Sequence, residues 1–139
     1  MVDVERIHER LARLDPLLTR LQGTHEAGQA AYLADPDERL RSERALQLAI
    51  QVCLDVGAHL VAGLGLAPPD EYRETFLRLG EAGVLGVDLA RRLADAAGLR
   101  NLLVHGYADL DDAAVFAALG GLDDLRAFAA AALRAAERS

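Results

Sequence analysis

The chain has 139 residues, a formal net charge of −7 at pH 7, 52% hydrophobic residues and 27% charged residues. This balance excludes a disordered chain, and the negative charge argues against broad, non-specific binding of nucleic acid, which depends on neutralising many phosphates. Leucine and alanine dominate over β-branched and aromatic residues, a mixture that favours helices over strands. We therefore expect an all-α fold that forms a single domain over residues 1–139.

The first predicted helix has its apolar residues at spacings of three and four, from Ile7 to Leu21. Pro16 interrupts this pattern and should kink or divide the helix, because its ring clashes with the preceding turn. Gly23 suits the end of the helix. A polar loop is expected from there to about Ala34.

The second predicted helix is the longest. Asp35 is suited to the N-cap, Pro36 to the first helical position, and Glu38 completes the spacing of a capping box. Apolar residues then recur at helical period to about Ala62, a length of roughly 40 Å at 1.5 Å per residue. Glycines and a pair of prolines follow and should end the helix.

The cysteine and the three histidines in the first half of the chain show no pattern that indicates a catalytic or metal site. Cys53 is the only cysteine, so an intramolecular disulfide is impossible, and its apolar neighbours indicate a buried hydrophobe rather than a nucleophile. His59, in the long helix, is interpreted as structural. His8 and His25 are expected to be exposed to solvent.

Four further helices are predicted in the second half of the chain. Asp70 can cap the first, and the aspartate pairs at 111–112 and 123–124 suit the positive end of the helix dipole at the starts of the last two. Nothing in the spacing of these carboxylates sets the converging geometry of a metal site, so we expect no bound metal and no cofactor. The first of the four is expected to carry Tyr72. They are predicted to begin near Asp70, Asp88, Asp112 and Asp123.

No uninterrupted apolar run of about 18 residues is present, and no leader with a basic start and an apolar middle. These features predict a cytoplasmic protein without a membrane segment.

Two polar residues fall inside the apolar stripe of the helix that begins near Asp88. With Leu89 placed at zero, Arg100 lies at about 20° and Tyr107 close to zero by the geometry of 3.6 residues per turn. A charged side chain in such a position must be paired or must lie at a cleft filled with solvent, because an unpaired buried charge is very costly.

Asn101 and His105 are four residues apart and neighbour each other on a second face, where the amide could fix the orientation of the imidazole. Arginine offers a forked donor to phosphate, and histidine exchanges protons near neutral pH. Since RNA carries its own 2′-hydroxyl nucleophile, these groups suit metal-free transesterification. Arg100 and His105 lie about 140° apart on one helix, which suggests that a second chain in a two-fold dimer completes the site.

A structural interpretation of the same residues stays open at this point. Arg100 could pair with a buried carboxylate such as Asp55 or Glu43, and His105 could cap the end of a helix. In that case the protein is a plain helical bundle that contains a buried ion pair.

Residues 100–107 read R-N-L-L-V-H-G-Y and resemble the R-x4-H-x-Y signature of HEPN domains, in particular the HepT-like toxins. Residues 43–51 resemble the long second helix of that family, and residues 70–76 resemble its third. The resemblance spans about residues 33–133. Gly106 departs from the family pattern, in which an acidic or larger residue is expected between the histidine and the tyrosine.

The resemblance implies a HEPN-like helical bundle that forms homodimers and acts as a metal-independent endoribonuclease toxin. Arg100 and His105 would be catalytic, and Asn101 would support them. It also implies a partner, an MNT-type nucleotidyltransferase antitoxin that can transfer AMP to Tyr107. The alternative, favoured by the acidic net charge and by Gly106, is a non-catalytic HEPN-like binding module that partners a nucleotidyltransferase.

Overall fold

The computed structural model describes residues 2–139 apart from the side chain of Tyr107. Within these residues the chain forms eight α-helices and two short 3-10 helices and no strand, which confirms the predicted all-α bundle. The 3-10 helices are Tyr107–Asp109 and Leu119–Gly121. The α-helices are α1 Val4–Ala12, α2 Leu14–Glu26, α3 Gln29–Ala34, α4 Pro36–Gly63, α5 Tyr72–Glu81, α6 Val87–His105, α7 Asp112–Ala118 and α8 Leu122–Arg138.

The first predicted helix is divided at Arg13 into α1 and α2. Pro16 explains the position of the break, because a helical proline has no N–H to donate and its ring clashes with the carbonyl four residues earlier, here that of Ala12. The prediction that Gly23 ends the helix is wrong. The helix continues to Glu26, and it is Gly28, with φ of 96°, that adopts the backbone conformation needed to leave it.

The polar loop expected before Ala34 is also wrong, because α3 forms there. Tyr32 anchors this short helix, since its side chain is buried and its ring lies 5.4 Å from that of Phe116 in α7. His25 of α2 also stacks on the Phe116 ring, with the ring centroids 5.2 Å apart, and is half-buried rather than exposed as predicted. His8 is exposed, as expected.

The long predicted helix is α4, and its start is as expected. Asp35 Oδ1 accepts hydrogen bonds from the backbone N–H groups of Asp37 and Glu38, both at 3.1 Å, which confirms the N-cap. The helix ends at Gly63, one residue beyond the prediction. Cys53 lies in its middle with no exposed surface, and burial raises the pKa of its thiol, which confirms the prediction of a buried hydrophobe.

By length and composition α4 could cross a membrane, with a mean hydropathy of 1.5 over its most apolar 18 residues. The helix contains no uninterrupted run of about 18 apolar residues, because isolated polar residues, among them Gln51 and Asp55, divide the apolar stretch. Of that window, 56% is buried inside the bundle. The helix packs against α2, α5, α6 and α8, so much of its apolar surface is covered by the protein itself.

Helices α5 and α6 pack closely and bring the start of one beside the end of the other. A Cβ on Gly80 would lie 2.8 Å from the Cβ of Ala90, so the absence of a side chain at Gly80 permits the close approach. The predicted cap Asp70 is wrong, because Glu71 takes the N-cap position of α5 without a side-chain bond. Helix α6 passes through Gly98 without interruption and ends at His105.

The last predicted helices are found close to their expected positions. Asp111 caps α7 by accepting a hydrogen bond from the N–H of Ala113 at 2.9 Å, the role assigned to acidic residues at helix starts. Helix α8 begins at Leu122, one residue before the prediction. The interpretation of His59 as structural is confirmed, since its Nε2 accepts the N–H of Asp3 at 3.0 Å and so ties the N-terminus to α4.

Candidate active site

A cleft of about 1060 Å³ opens between the second half of α4, the start of α5 and the end of α6. Arg100, Asn101 and His105 all line it, so a single chain brings the three predicted site residues of α6 to one surface. Arg100 is half-buried at the cleft, as its place in the apolar stripe predicted, whereas Asn101 and His105 are exposed. The cleft is also lined by Leu54, Asp55, Ala58, Pro69, Asp70, Glu71, Tyr72, Arg73, Thr75, Gly98, Leu102, Val104 and Gly106.

Arg100 is held by three neutral groups. Its Nε donates to Oε1 of Gln51 at 2.9 Å, and its Nη1 donates to Oδ1 of Asn101 at 3.3 Å. The guanidinium carbon lies 4.9 Å from the centroid of the Tyr72 ring, within the range of a cation–π contact. Because none of these groups carries a negative charge, they orient the guanidinium and leave its positive charge uncompensated for an anionic ligand.

The suggested pairing of Arg100 with Asp55 or Glu43 is therefore wrong. Asp55 instead accepts a hydrogen bond from Nε2 of Gln51 at 2.8 Å and forms an ion pair with Arg10 at 3.3 Å. Glu43 lies two helical turns before Gln51, in another part of the bundle. Asp55 thus contacts the arginine only through an intervening amide.

The amide of Gln51 has one orientation that satisfies both of its neighbours. A carboxylate can only accept, so the NH₂ group must face Asp55, and a guanidinium can only donate, so the carbonyl oxygen must face Arg100. Arg10 holds the second carboxylate oxygen of Asp55. A line of contacts from α1 through α4 to α6 therefore fixes the rotation of the Arg100 side chain.

Asn101 was expected to orient His105, but its carbonyl oxygen accepts from Arg100 instead. Among the described residues the His105 ring makes no hydrogen bond to Asn101 and caps no helix end. The reason is competition, since the Arg100 side chain takes the carbonyl oxygen of Asn101, and α6 ends at His105, where the N–H of Gly106 bonds the carbonyl of Leu102 at 2.9 Å. The side chain of Asn101 therefore contacts Arg100 rather than His105.

Gly106, the departure from the family pattern, lies against Leu102. A Cβ at this position would lie 2.9 Å from Cδ2 of Leu102, the flexible end of a side chain that is 44% exposed. A larger residue would therefore need only a rotation of Leu102. Tyr107 follows in the 3-10 helix beyond the end of α6, so its predicted place on the α6 stripe is wrong, and its side chain lies outside the described part of the structure.

The charges around the cleft are unevenly distributed. Asp70 and Glu71 are exposed on the rim at the start of α5, and Arg73 follows them in the first turn. The positive charge of Arg100 lies deeper, on the wall formed by α6. In the described part of the chain, no group of three or more histidine, cysteine or acidic side chains is arranged to hold a metal ion.

A second polar cluster lies away from the cleft, where α3, α4 and α7 meet. Glu43 is only 7% exposed, and burial, with the nearby Asp112 carboxylate, raises its pKa. The Tyr32 hydroxyl is buried without a hydrogen-bond partner among the described residues, and burial, with Glu43 close by, raises its pKa to about 12. Arg39 pairs with Asp112 at 3.4 Å and partly offsets the acidic charge around Glu43.

Gln51 and Tyr72 are the site residues that the sequence did not indicate. Gln51 is one polar residue in an apolar run, and Tyr72, predicted to lie on the helix that begins near Asp70, is 50% exposed. The signal in the sequence was the spacing of Gln51, one turn after Gln47 and one turn before Asp55, on a helix that is mostly apolar around these residues.

The chain is similar to known proteins over most of its length. The family model described as "Ribonuclease HepT-like" matches residues 5–132. A tRNA nuclease HepT of Aphanizomenon flos-aquae is 34% identical over 113 residues, covering 81% of this chain and 77% of that protein. An mRNA nuclease HepT of Shewanella oneidensis is 30% identical over 84 residues, covering 60% of this chain and 63% of that protein. A solved structure of a tri-AMPylated Shewanella oneidensis HEPN toxin in complex with MNT antitoxin has the same fold, with a TM-score of 0.83 at 23% identity, covering 94% of this chain and 97% of that chain.

Proposed function

Because the chain belongs to the HepT-like ribonuclease family, we propose that it is a metal-independent endoribonuclease in which Arg100 and His105 are catalytic and Asn101 supports Arg100. The observation that carries this proposal is that all three side chains line one cleft. The orientation of Arg100 by neutral groups supports it further, since a guanidinium already paired with a carboxylate would have little charge to offer to a phosphate.

The chemistry needs only groups supplied by this chain, by RNA and by solvent water. His105 takes the proton of a ribose 2′-hydroxyl, and the 2′-oxygen attacks the adjacent phosphorus. The bond from phosphorus to the 5′-oxygen then breaks, which leaves a 2′,3′-cyclic phosphate and a 5′-oxygen that takes a proton from solvent. Arg100 stabilises the negative charge that develops on the phosphoryl oxygens in the transition state.

We place the active form in a homodimer in which the clefts of two copies face each other. Arg100 and His105 line one cleft of a single chain but project about 140° apart around α6, so we propose that the facing copy supplies the second group to a phosphate bound by the first. Leu102 supports this arrangement, because it presents an apolar side chain, 44% exposed, on the same end of α6 as His105.

The proposed role is that of a cytoplasmic toxin in a prokaryotic toxin–antitoxin pair. An MNT-type nucleotidyltransferase would act as antitoxin by transferring AMP to Tyr107, two residues after His105. The tri-AMPylated state of the Shewanella oneidensis toxin in its complex with MNT antitoxin supports this proposal. A bulky anionic group so close to His105 would exclude RNA by both volume and charge.

The test is to induce the chain alone in a bacterial host, beside Arg100→Ala and His105→Ala, while growth and total RNA are followed. We expect growth arrest and new RNA fragments from the wild type and from His8→Ala, a control at an exposed histidine far along the chain, and neither effect from the two site variants. Circular dichroism of the purified variants checks that each is folded.

Purified protein then separates the remaining possibilities. Cleavage of single-stranded RNA in excess EDTA, with 2′,3′-cyclic phosphate ends, is expected of the wild type. Equal cleavage by His105→Ala would overturn the assigned mechanism. Intact RNA from a folded, unmodified wild type that still binds its nucleotidyltransferase would instead favour the non-catalytic binding module.

A further inference from the structure

Among the Phe and Tyr side chains that the structure describes, Tyr72 has the largest exposed fraction. Phe76, Phe128 and Tyr32 are at most 1% exposed, and Phe116 is half-buried, whereas Tyr72 is 50% exposed at the first position of α5. Its ring borders the cleft and lies 4.9 Å from the guanidinium carbon of Arg100. An aromatic ring beside the proposed catalytic arginine is therefore partly covered by that arginine and otherwise open to the cleft.

A half-exposed tyrosine ring leaves apolar surface in water that a planar ligand can cover. Single-stranded nucleic acids offer such a ligand, because every base has a face that stacks on an aromatic side chain, and proteins use this contact widely for unpaired bases. The guanidinium of Arg100 fixes one side of the ring before any ligand arrives. The ring thus needs little further ordering to receive a base.

The charges beside Tyr72 indicate which part of an RNA strand lies against it. Asp70 and Glu71 precede it on the rim and are both exposed. They repel phosphate, whereas a neutral base suffers no such repulsion and can donate hydrogen bonds to carboxylates through its amino groups. Arg73 follows Tyr72 in the first turn of α5 and partly offsets these carboxylates, but the cation in contact with the ring is Arg100 on the α6 wall, and it draws the phosphate.

We propose that Tyr72 forms a nucleobase subsite, in which a base next to the scissile phosphate stacks on the ring while that phosphate meets Arg100. This proposal rests on the ribonuclease function above and adds to it the part of the substrate that is recognised. It makes the enzyme selective for unpaired RNA, since a base held in a duplex cannot reach the ring.

The chain contains no tryptophan, which allows a direct binding measurement. A Tyr72→Trp substitution keeps an aromatic partner for Arg100 and introduces the only indole, and His105→Ala in the same chain prevents cleavage. Titration with a short single-stranded RNA is expected to quench the indole emission. The same RNA annealed to its complement is expected to quench it much less.

The matched control is Val87→Trp in the same His105→Ala chain. Val87 is 57% exposed and begins α6, about 27 Å along the helix from His105. Its indole should keep its emission when RNA is added. Fluorescence anisotropy of an end-labelled RNA measures binding to both proteins independently of the indole.

Cleavage kinetics separate a base subsite from a residue that only positions Arg100. We expect Tyr72→Leu to raise the KM for single-stranded RNA about tenfold or more, in line with the strength of base–aromatic stacking. Tyr72→Phe keeps an aromatic ring and is expected to raise KM less than Tyr72→Leu does. Loss of kcat in Tyr72→Leu at unchanged KM, together with no quenching of the indole in the Tyr72→Trp chain, would overturn the subsite and leave Tyr72 as a support of Arg100.

The failure of this inference is distinguishable from the failure of the proposed function. Unchanged indole emission in the Tyr72→Trp chain overturns the base subsite, whether or not anisotropy detects RNA binding. If the wild type still cleaves RNA in a manner that depends on His105, the ribonuclease function stands without the subsite.

Discussion

The Nε of Arg100 donates to Oε1 of Gln51 across 2.9 Å, and this contact joins the candidate active site to the central helix of the bundle. Gln51 in turn donates to Asp55, which pairs with Arg10 of α1. Three helices thus determine where the guanidinium points. The catalytic role proposed for Arg100 depends on residues that do not themselves belong to the motif.

Replacing Gln51 with leucine is expected to lower kcat for RNA cleavage by about tenfold, with a smaller change in KM. The leucine removes both the acceptor for Arg100 and the donor to Asp55, so the guanidinium samples more orientations, and a lost hydrogen bond to a charged group of about 1.5 kcal/mol corresponds to a factor of about ten. Steady-state cleavage of a single-stranded RNA measures both constants.

Gln47→Leu, one turn earlier on α4, is the matched control and should leave kcat within about twofold. A double-mutant cycle adds a second check. Asp55→Asn should lower kcat in the wild type but have little further effect in Gln51→Leu, because Asp55 acts on Arg100 through the amide. Additive effects would contradict the line of contacts.

Tyr107→Phe is expected to stay toxic in a host that also expresses the cognate nucleotidyltransferase, while the wild type is silenced there. The phenylalanine has no hydroxyl to accept AMP and leaves Arg100 and His105 in place. Intact-mass spectrometry of the purified chains should show added AMP on the wild type and none on the variant. Tyr72→Phe serves as the control and should be modified like the wild type; equal modification of Tyr107→Phe would assign the AMP to another residue.

The buried carboxyl of Glu43 makes stability depend on pH in a defined direction. Its pKa in the folded protein is raised above the ordinary value of 4.5, first by burial and then by Asp112, so the folded state binds this proton more readily than the unfolded state. The contribution of Glu43 to the free energy of unfolding is therefore most favourable below about pH 4.5. It declines as the pH rises through the raised pKa.

Glu43→Gln is accordingly expected to raise Tm relative to the wild type at pH 7, with the difference shrinking as the pH is lowered towards 4. The amide keeps the size of the side chain and carries no charge to desolvate. Thermal unfolding followed by circular dichroism at several pH values measures the effect. The control Glu9→Gln, on an exposed part of α1, should change Tm little at any pH. A Tm difference for Glu43→Gln that grows on acidification would contradict a raised pKa of the Glu43 carboxyl.

The substitutions Gly80→Ala and Gly23→Ala are expected to change the free energy of unfolding in opposite directions. At Gly80 the new Cβ would lie 2.8 Å from the Cβ of Ala90, so α5 and α6 must separate, at a cost of about 1–3 kcal/mol that exceeds the gain in helix propensity. At Gly23 nothing lies within 4 Å, so the propensity gain of about 0.5–1 kcal/mol remains. Urea unfolding of both variants tests the pair, and a stabilised Gly80→Ala would show that the helices separate at little cost.

Features of the fold that depend on residues close together in the sequence were predicted well, whereas features that depend on distant residues were not. The start of α4 was predictable because Asp35 satisfies the N–H groups of residues two and three positions further along the chain. The end of α2 was not, because Gly23 and Gly28 look alike in the sequence and only the second has the positive φ of the turn. Helix α3 was missed because its anchor, the contact of Tyr32 with Phe116, joins residues far apart in the sequence.

The same distinction applies to the candidate site. Arg100 and His105 were identifiable because they lie in one short motif on one helix. Gln51 and Tyr72 contact Arg100 only after α4 and α5 have packed beside α6, and nothing in the local pattern of either helix specifies that register. The expected support of His105 by Asn101 failed for a related reason, since the competing donor, the Arg100 side chain, takes the amide oxygen.

The burial of Cys53 leaves the surface of the chain without a thiol. Maleimides and nitroxide reagents attack a solvated thiolate, so the native protein offers them no target. One cysteine introduced in place of Leu102, beside the candidate active site, would therefore carry the only label on each copy. The distance between two such labels would report directly how a pair of chains is arranged, without the removal of any native cysteine.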